Sequence, residues 1–301
     1  SDPADFAEIL DGTARPRAVP ARLYLPPRPA GGGRMPAVVL VPDTDGPDER
    51  ALMYAGALTA AGIATLVPEA ATATAGRGRD AARSALPGQL ADALAAWRFL
   101  ADDPRFDAGR IGIMGMASGG SAATLAAHVP FVRAAAGEHA AFAAHLPLYP
   151  ACEFRMSHWQ VTGAPVLMVL AEEDAVGAPA ECVPVAEALS AAGNAVATKI
   201  YSGAHHAFDR GAGIVVRQDV HAVGACRSVI DGAGRTSLSG GGVPADSVTA
   251  AGDWADYRRT VLARCGKAGV KTGADLDLRG NVAADVAAFF RETLKPGAFS
   301  F

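Results

Sequence analysis

Short runs of apolar residues recur along the chain, and most are followed by a stretch whose apolar residues have helical spacing. The first run, 37–41, is rich in valine and is typical of a strand buried on both faces. Further strands are predicted at 63–68, 111–114, 143–148, 166–170 and 197–201, and helices at 50–61, 89–101, 121–128, 183–192 and 282–294. Strands alternating with helices in this order predict an α/β fold with a mostly parallel central sheet and helices on both faces.

The carboxyl ends of parallel strands meet at one edge of the sheet, where functional loops gather. We therefore expect the loops after Val41, Met114, Leu170 and Tyr201 to lie close together. A further loop is predicted at 70–87, which is aperiodic and rich in alanine, threonine, glycine and arginine.

The segment at about 211–280 differs from the rest of the chain. It is rich in glycine, serine and aspartate, and only Trp254–Arg264 has a helical pattern. Long irregular insertions are usually functional loops or disordered segments. The chain is therefore interpreted as a single α/β domain over 1–301 with an irregular insertion at 211–280.

The charge balance narrows the classes of partner. The chain has 301 residues, with 27 Lys and Arg against 31 Asp and Glu, which gives a net charge of −4. A mildly acidic surface argues against binding to nucleic acid or to an anionic membrane. No apolar run is long enough to span a bilayer.

The four cysteines are Cys152, Cys182, Cys226 and Cys265, and none forms a C-x-x-C pair, which argues against a zinc ribbon or thioredoxin motif. Two hypotheses are open: two disulfides, or four buried thiols in a cytoplasmic protein. The positions predict the pairs Cys152–Cys182, both at the carboxyl edge of the sheet, and Cys226–Cys265, which bracket the glycine-rich segment. Persistent disulfides need an oxidising compartment, so this pairing predicts a periplasmic or secreted protein.

A glycine-rich turn lies between the predicted strand at 111–114 and the helix that follows. Gly115 and Gly119 stand two residues on either side of Ala117, as glycines do around the nucleophile of a G-x-S-x-G turn. The alternative is a turn that only packs tightly or binds phosphate. Ser118 has the wrong frame for a nucleophile, because it would need glycine at Met116. Its predicted role is a backbone N–H in the oxyanion hole.

Two further residues follow predicted strands in the order that a Ser/acid/His hydrolase requires. Asp174 comes after the strand at 166–170, and His206 after the strand at 197–201. An acid there would orient the imidazole, and the imidazole would take the proton of a nucleophile. The alternatives are a helix N-terminal carboxylate for Asp174, and a surface loop or metal site for His205 and His206. The chain has no HExxH motif, so no metal is expected.

Three runs carry a family resemblance, namely 110–115, 165–182 and 203–208, and Cys265–Phe290 extends it into the late segment. They resemble the dienelactone hydrolase family, in particular a bacterial branch whose members are about as long as this chain. The resemblance implies an α/β-hydrolase fold and hydrolysis of a carboxylic ester or lactone, small or polymeric, through an acyl-enzyme and without a cofactor.

The same resemblance assigns roles to residues. It gives His206, which is followed by x-Phe, the role of base, and Asp174 the role of acid. Ala117 stands where the family has Ser or Cys. The loop after the first strand resembles the family's oxyanion loop, with Thr44 as the second amide donor beside Ser118, although Pro42-Asp43 replaces the His-Gly of many relatives.

Three interpretations of Ala117 remain open. The nucleophile has been replaced so that substrate binds without turnover; or the protein is a natural pseudoenzyme that binds a small molecule; or an active enzyme uses Ser118. We favour the first, because Asp174 and His206 are both retained.

Overall fold

A computed structural model of the protein describes residues 3, 5–15, 17–27, 33–69, 85–211, 213–224, 226–242, 249–250 and 254–295. The first eight strands are β1 (Ala21–Tyr24), β2 (Met35–Val41), β3 (Ala64–Pro68), β4 (Phe106–Met116), β5 (His145–Leu148), β6 (Phe154–Met156), β7 (Val166–Ala171) and β8 (Val196–Tyr201). Seven of them form the central sheet in the order β1-β3-β2-β4-β5-β7-β8. Only β1 runs antiparallel to its neighbour in this sheet, so the predicted mostly parallel α/β sheet is confirmed.

The helices lie on both faces of this sheet. They are α1 (Phe6–Asp11), α2 (Glu49–Ala60), α3 (Ala85–Asp102), α4 (Ser118–Leu125), α5 (Val129–Ala136), α6 (Pro179–Ala191), α7 (Trp254–Cys265) and α8 (Arg279–Leu294). Alternate residues of β2 explain the two layers, because side chains along a strand point to opposite faces. Val39 packs in one core cluster with residues of α3 and α6, whereas Val38 packs in the other with residues of α2 and α8.

The register of the strands aligns their carboxyl ends. Val41 pairs with Gly115, Met116 with Leu148, Leu148 with Val169, and Ala171 with Tyr201. The loops that follow β2, β4, β7 and β8 therefore leave the sheet at one edge, as predicted, and the loop after β5 leaves it at the same edge. The helix predicted at 121–128 begins earlier, at Ser118, because the turn after β4 is very tight. Of the loop predicted at 70–87, residues 70–84 lie outside the described residues, and 85–87 belong to α3.

The prediction that 211–280 is irregular is wrong. Besides α7, the segment contains β9 (Val215–Ala222), β10 (Arg227–Ile230), β11 (Thr236–Ser239), β12 (Thr249–Ala250) and β13 (Lys267–Thr272). A four-stranded sheet has the order β12-β11-β10-β6, and β9 pairs with β13. These strands are short and their partners are distant or separated by glycine turns, so local periodicity does not reveal them.

This segment also buries apolar side chains. Ile230, Leu238, Trp254, Tyr257 and Val261 are all buried and belong to the core cluster that also contains α3. The small sheet and α7 are therefore packed onto the main fold rather than looped out from it.

Both predicted cysteine pairs are present. Cys152 and Cys182 are bonded with their Cα atoms 5.0 Å apart, and Cys226 and Cys265 with theirs 6.2 Å apart. The first pair joins the loop after β5 to α6, and the second joins the start of β10 to the end of α7. In the part of the chain that the structure describes, no helix has both the length and the apolar composition needed to cross a membrane.

Candidate active site

The turn between β4 and α4 has a strained backbone at Ala117. Its φ is 51° and its ψ is −114°, a conformation that residues with a side chain rarely adopt. The turn is held by hydrogen bonds from Ala117 N to Leu148 O at 3.1 Å and from Ser121 N to Ala117 O at 3.0 Å. Such strain persists only where the surrounding structure imposes it, and it is concentrated at functional sites. The geometry matches the strand-to-helix turn that exposes a nucleophile in hydrolases.

The glycines around Ala117 are required by close backbone approach. A Cβ atom on Gly115 would overlap the carbonyl of Gly119, and one on Gly119 would overlap the carbonyl of Val41. The spacing that the sequence shows is therefore a steric requirement of this turn.

Asp174 and His206 form a buried hydrogen-bonded pair. Nδ1 of His206 lies 2.8 Å from Oδ2 of Asp174, and both side chains are almost inaccessible to solvent. The other carboxylate oxygen of Asp174 accepts the backbone N–H groups of Val176 at 2.7 Å and Gly177 at 2.9 Å. Both carboxylate oxygens of Asp174 are thus engaged, which fixes the imidazole, and Nε2 is the ring nitrogen that has no partner among the described residues.

The structure bears on the alternative roles considered for Asp174, His205 and His206. Asp174 does not cap α6, whose N-cap is Ala178. His205 and His206 are both buried, so the surface-loop alternative is wrong. Nδ1 of His205 lies 3.0 Å from the carbonyl of Glu173, away from Asp174. Among the described residues, no three His, Cys, Asp or Glu side chains converge as a metal site requires.

The charges around His206 set its pKa. Burial disfavours the imidazolium and by itself lowers the pKa of His206, but the charge and hydrogen bond of Asp174, with a further contribution from the charge of Asp43, raise it. The positive charge of Arg50 acts in the opposite direction. The net result is a pKa above the ordinary value of 6.5.

The loop at 42–48, which we call the oxyanion loop after its predicted role, places a carboxylate beside the predicted amide donors. Oδ1 of Asp43 accepts the backbone N–H of Thr44 at 2.7 Å and the hydroxyl of Ser118 at 3.1 Å. The N–H of Thr44 is therefore engaged by its own neighbour. The hydroxyl of Ser118 points to this carboxylate rather than along α4. The sequence predicts no contact between Asp43 and these amide donors. It does show that Pro42-Asp43 replaces the His-Gly of many relatives.

Comparisons with known proteins agree with this geometry. The model of the dienelactone hydrolase family matches residues 19–228. The chain belongs to the dienelactone hydrolase family. Esterase 2 of Thermogutta terrifontis, phosphoramylated by tabun, is 16% identical with a TM-score of 0.53, over 64% of this chain and 81% of that one. The native form of the same esterase is 16% identical with a TM-score of 0.51, over 64% and 79%. The chain thus has the α/β-hydrolase fold. No curated protein matches the sequence.

This member of the family also contains a buried polar group that no sequence motif indicated. We call it the tyrosine–aspartate cluster: Arg50, Tyr54, Tyr149 and Asp209. The fully buried carboxylate of Asp209 accepts the hydroxyl of Tyr54 at 2.5 Å and that of Tyr149 at 2.7 Å. Arg50 donates to the hydroxyl of Tyr149 at 3.1 Å. Burial, followed by the charge of Asp209, raises the pKa of both tyrosines, so both remain neutral donors.

The late segment of this family member supports the histidine directly. His206 and Thr272 form a parallel β-bridge. The N–H of Gly273 donates to the carbonyl of His206, and the N–H of His205 donates to the carbonyl of Gly273, both at 2.9 Å. The family match ends at residue 228, so this support lies beyond it.

Proposed function

We propose that this is the site of a carboxylic ester or lactone hydrolase that acts through an acyl-enzyme, with Ser or Cys at position 117 in its active form. The observation that carries the proposal is the buried His206–Asp174 hydrogen bond, at the same sheet edge as the strained turn of Ala117. Membership of the dienelactone hydrolase family supports an ester or lactone as the substrate class. The substrate is a small or polymeric ester.

The proposed mechanism assigns each group one task. Nε2 of His206 takes the proton of the nucleophile at 117 as it attacks the carbonyl, and Asp174 stabilises the imidazolium. The backbone N–H groups of Ser118 and Thr44 bind the oxyanion, once the substrate oxygen has displaced the carboxylate of Asp43. The imidazolium then protonates the leaving alkoxide, and water hydrolyses the acyl-enzyme with His206 again as base.

In this mechanism Ala117 leaves the chain without a nucleophile. The retained acid and base favour a replaced nucleophile, so that the chain binds its ester and does not turn it over. One observation favours the natural-pseudoenzyme alternative, a small-molecule binding protein: the Asp43 carboxylate engages the N–H of Thr44. Catalysis by Ser118 is the third candidate, and the donation of its hydroxyl to Asp43 rather than to His206 counts against it.

The proposed location is the periplasm or the exterior of the cell. Two disulfides support it, because such bonds persist in oxidising compartments.

Restoring the nucleophile tests the proposal. We expect Ala117→Ser, and to a different degree Ala117→Cys, to hydrolyse p-nitrophenyl acetate and butyrate, whereas the chain with Ala117 does not. Removing the nucleophile of such a site lowers kcat on the order of 10⁶-fold. The matched control is Ala117→Ser combined with His206→Ala, which keeps the hydroxyl and loses the base. Robust hydrolysis by the unchanged chain that disappears on Ser118→Ala would overturn the assignment. A folded but inactive Ala117→Ser variant would favour the binding protein.

A further inference from the structure

We propose that Tyr149 is a positioning residue for His206, held in place by the tyrosine–aspartate cluster; this inference rests on the proposed function. The clearest contact is between the two rings. The rings of Tyr149 and His206 pack in a T-shaped arrangement, with centroids 5.3 Å apart and ring planes at 73°. Nδ1 of the imidazole is fixed by Asp174, so a second contact at the ring limits its rotation about that hydrogen bond.

Tyr149 is itself fixed at both ends. Its backbone has a φ of 33° and its N–H donates to the carbonyl of Val169 at 2.7 Å. Its hydroxyl lies 2.7 and 2.9 Å from the two carboxylate oxygens of Asp209, and it accepts from Arg50 at 3.1 Å. Asp209 follows His206 by three residues, in the short 3₁₀ helix Phe208–Arg210. The tyrosine therefore joins the loop after β5 to the residues directly following His206.

The cluster also reaches the oxyanion loop. Nε of Arg50 donates to Oδ1 of Asp48 at 3.0 Å, and its second guanidinium nitrogen donates to Oδ2 at 2.7 Å. Asp48 caps the start of α2 by accepting the N–H of Arg50. Arg210 approaches Oδ2 of Asp48 to 3.6 Å from the histidine side. One connected set of polar contacts thus links the oxyanion loop, which carries Thr44, to the loop that carries His206.

A purely structural role explains these groups poorly. A buried carboxylate and a buried guanidinium are costly to desolvate, and apolar side chains of similar size would often stabilise a core as well or better. The contacts do hold one geometry, because each hydroxyl and each charge has a directional partner. These contacts fix the position of Tyr149 against the ring of His206, the proposed base. A small displacement of a catalytic group lowers the reaction rate strongly.

A pair of matched variants tests the inference in the Ala117→Ser background. Tyr149→Phe and Tyr54→Phe each remove one hydroxyl from the same Asp209 carboxylate, but only the ring of Tyr149 contacts His206 among the described ring pairs. We expect Tyr149→Phe to lower kcat by about tenfold with little change in KM, because the base is misplaced rather than the substrate. Tyr54→Phe should have a clearly smaller effect at a comparable loss of thermal stability.

A second measurement does not depend on activity. In the chain with Ala117, proton NMR follows the Nδ1 proton shared by His206 and Asp174. We expect this resonance to shift or broaden in Tyr149→Phe and to stay close to its position in Tyr54→Phe. Should Tyr149→Phe not fold, Asp209→Asn, which keeps the volume and one acceptor oxygen, must alter the same resonance.

The outcomes are separable. Equal effects of the two tyrosine variants on kcat and on the resonance would overturn the positioning role and leave a structural cluster. An inactive Ala117→Ser chain whose resonance still responds to Tyr149→Phe alone would overturn the proposed function and keep the positioning of His206.

Discussion

Oδ1 of Asp43 lies 2.7 Å from the backbone nitrogen of Thr44, so a carboxylate faces one of the two amides proposed for the oxyanion hole. A negative charge there opposes the charge that develops on the substrate oxygen. Two like charges about 4 Å apart repel by about 1–4 kcal/mol between the limits of bulk water and a protein surface. The proposed oxyanion hole is therefore closed in the resting structure.

We predict that Asp43→Asn in the Ala117→Ser background raises kcat/KM by about tenfold, equivalent to about 1.4 kcal/mol of transition-state stabilisation. Rates of ester hydrolysis at low and at saturating substrate concentrations measure this change in kcat/KM. Asp45→Asn is the control, because Asp45 is exposed and its carboxylate pairs with Arg217, away from the contact between Asp43 and the N–H of Thr44. A fall in activity would mean that Asp43 assists the reaction instead of blocking the hole.

The pH profile of the Ala117→Ser variant should reflect the raised pKa of His206. A base must be neutral, so kcat/KM falls as pH drops through that pKa, and we expect the acid limb above 6.5. Asp174→Asn removes the strongest contribution that raises the pKa, so the limb should move to lower pH while kcat falls on the order of 10⁴-fold. Asp43→Asn should move the limb in the same direction. A limb that moves to higher pH in either variant would contradict this arrangement of charges.

The two adjacent histidines should behave differently. In the Ala117→Ser background His206→Ala should abolish hydrolysis, whereas His205→Ala should keep most of it, because Nδ1 of His205 is engaged with the carbonyl of Glu173. Activity is measured beside thermal unfolding, since His205 is also buried and its loss lowers stability. The reverse pattern in folded variants would show that the base is misassigned.

Intact mass under alkylation decides the disulfides. We expect no alkylated thiols in the denatured, unreduced protein and four after reduction. The Cys226–Cys265 bond closes a loop of 39 residues. In the chain-entropy model this bond lowers the entropy of the unfolded chain and so stabilises the folded protein by about 4 kcal/mol. Replacing both cysteines with serine should therefore lower Tm. Free thiols in the unreduced protein would favour the cytoplasmic alternative.

Acid should destabilise the fold through His145. Burial lowers the pKa of His145 from 6.5 to about 4, and its Nδ1 lies 3.1 Å from the carbonyl of Ala123. Between pH 6.5 and pH 4 the unfolded chain binds a proton at this histidine that the folded chain does not bind. The free energy of unfolding therefore falls as the pH drops, by about 3 kcal/mol at pH 4.

Urea unfolding at pH 7 and pH 4.5 measures this loss. His145→Gln should reduce the difference in unfolding free energy between the two pH values, whereas His139→Gln, at an exposed position, should not. An unchanged difference in His145→Gln would assign the acid sensitivity to other groups.

Part of this site is visible in the sequence because its determinants are local. Gly115 and Gly119 are fixed by the sterics of a single turn. Asp174 follows the valine- and leucine-rich strand β7, and His206 follows the predicted strand that ends at Tyr201. The parallel sheet and its shared carboxyl edge follow from the same runs.

The rest depends on partners that are far apart along the chain. Tyr54 and Asp209 are separated by 155 residues, and nothing in the neighbourhood of either predicts that they meet. The strand Arg227–Ile230 pairs with Phe154–Met156, so the apolar positions that it buries become evident only in the folded sheet. The contact between Asp43 and Ser118 depends on how two separate loops leave the sheet.

The bridge between His206 and Thr272 has a consequence for how the protein matures. A chain emerging from the ribosome folds largely from its N-terminal side, and β2, β4, β5, β7 and β8 can pair before the residues beyond His206 have been made. Such a nascent chain already carries Ala117, Asp174 and His206, yet lacks the strand that holds the histidine. The proposed hydrolytic centre is thus completed late, only after residues 267–273 have been synthesised and paired, so that truncated translation products would fold around an unfinished catalytic edge.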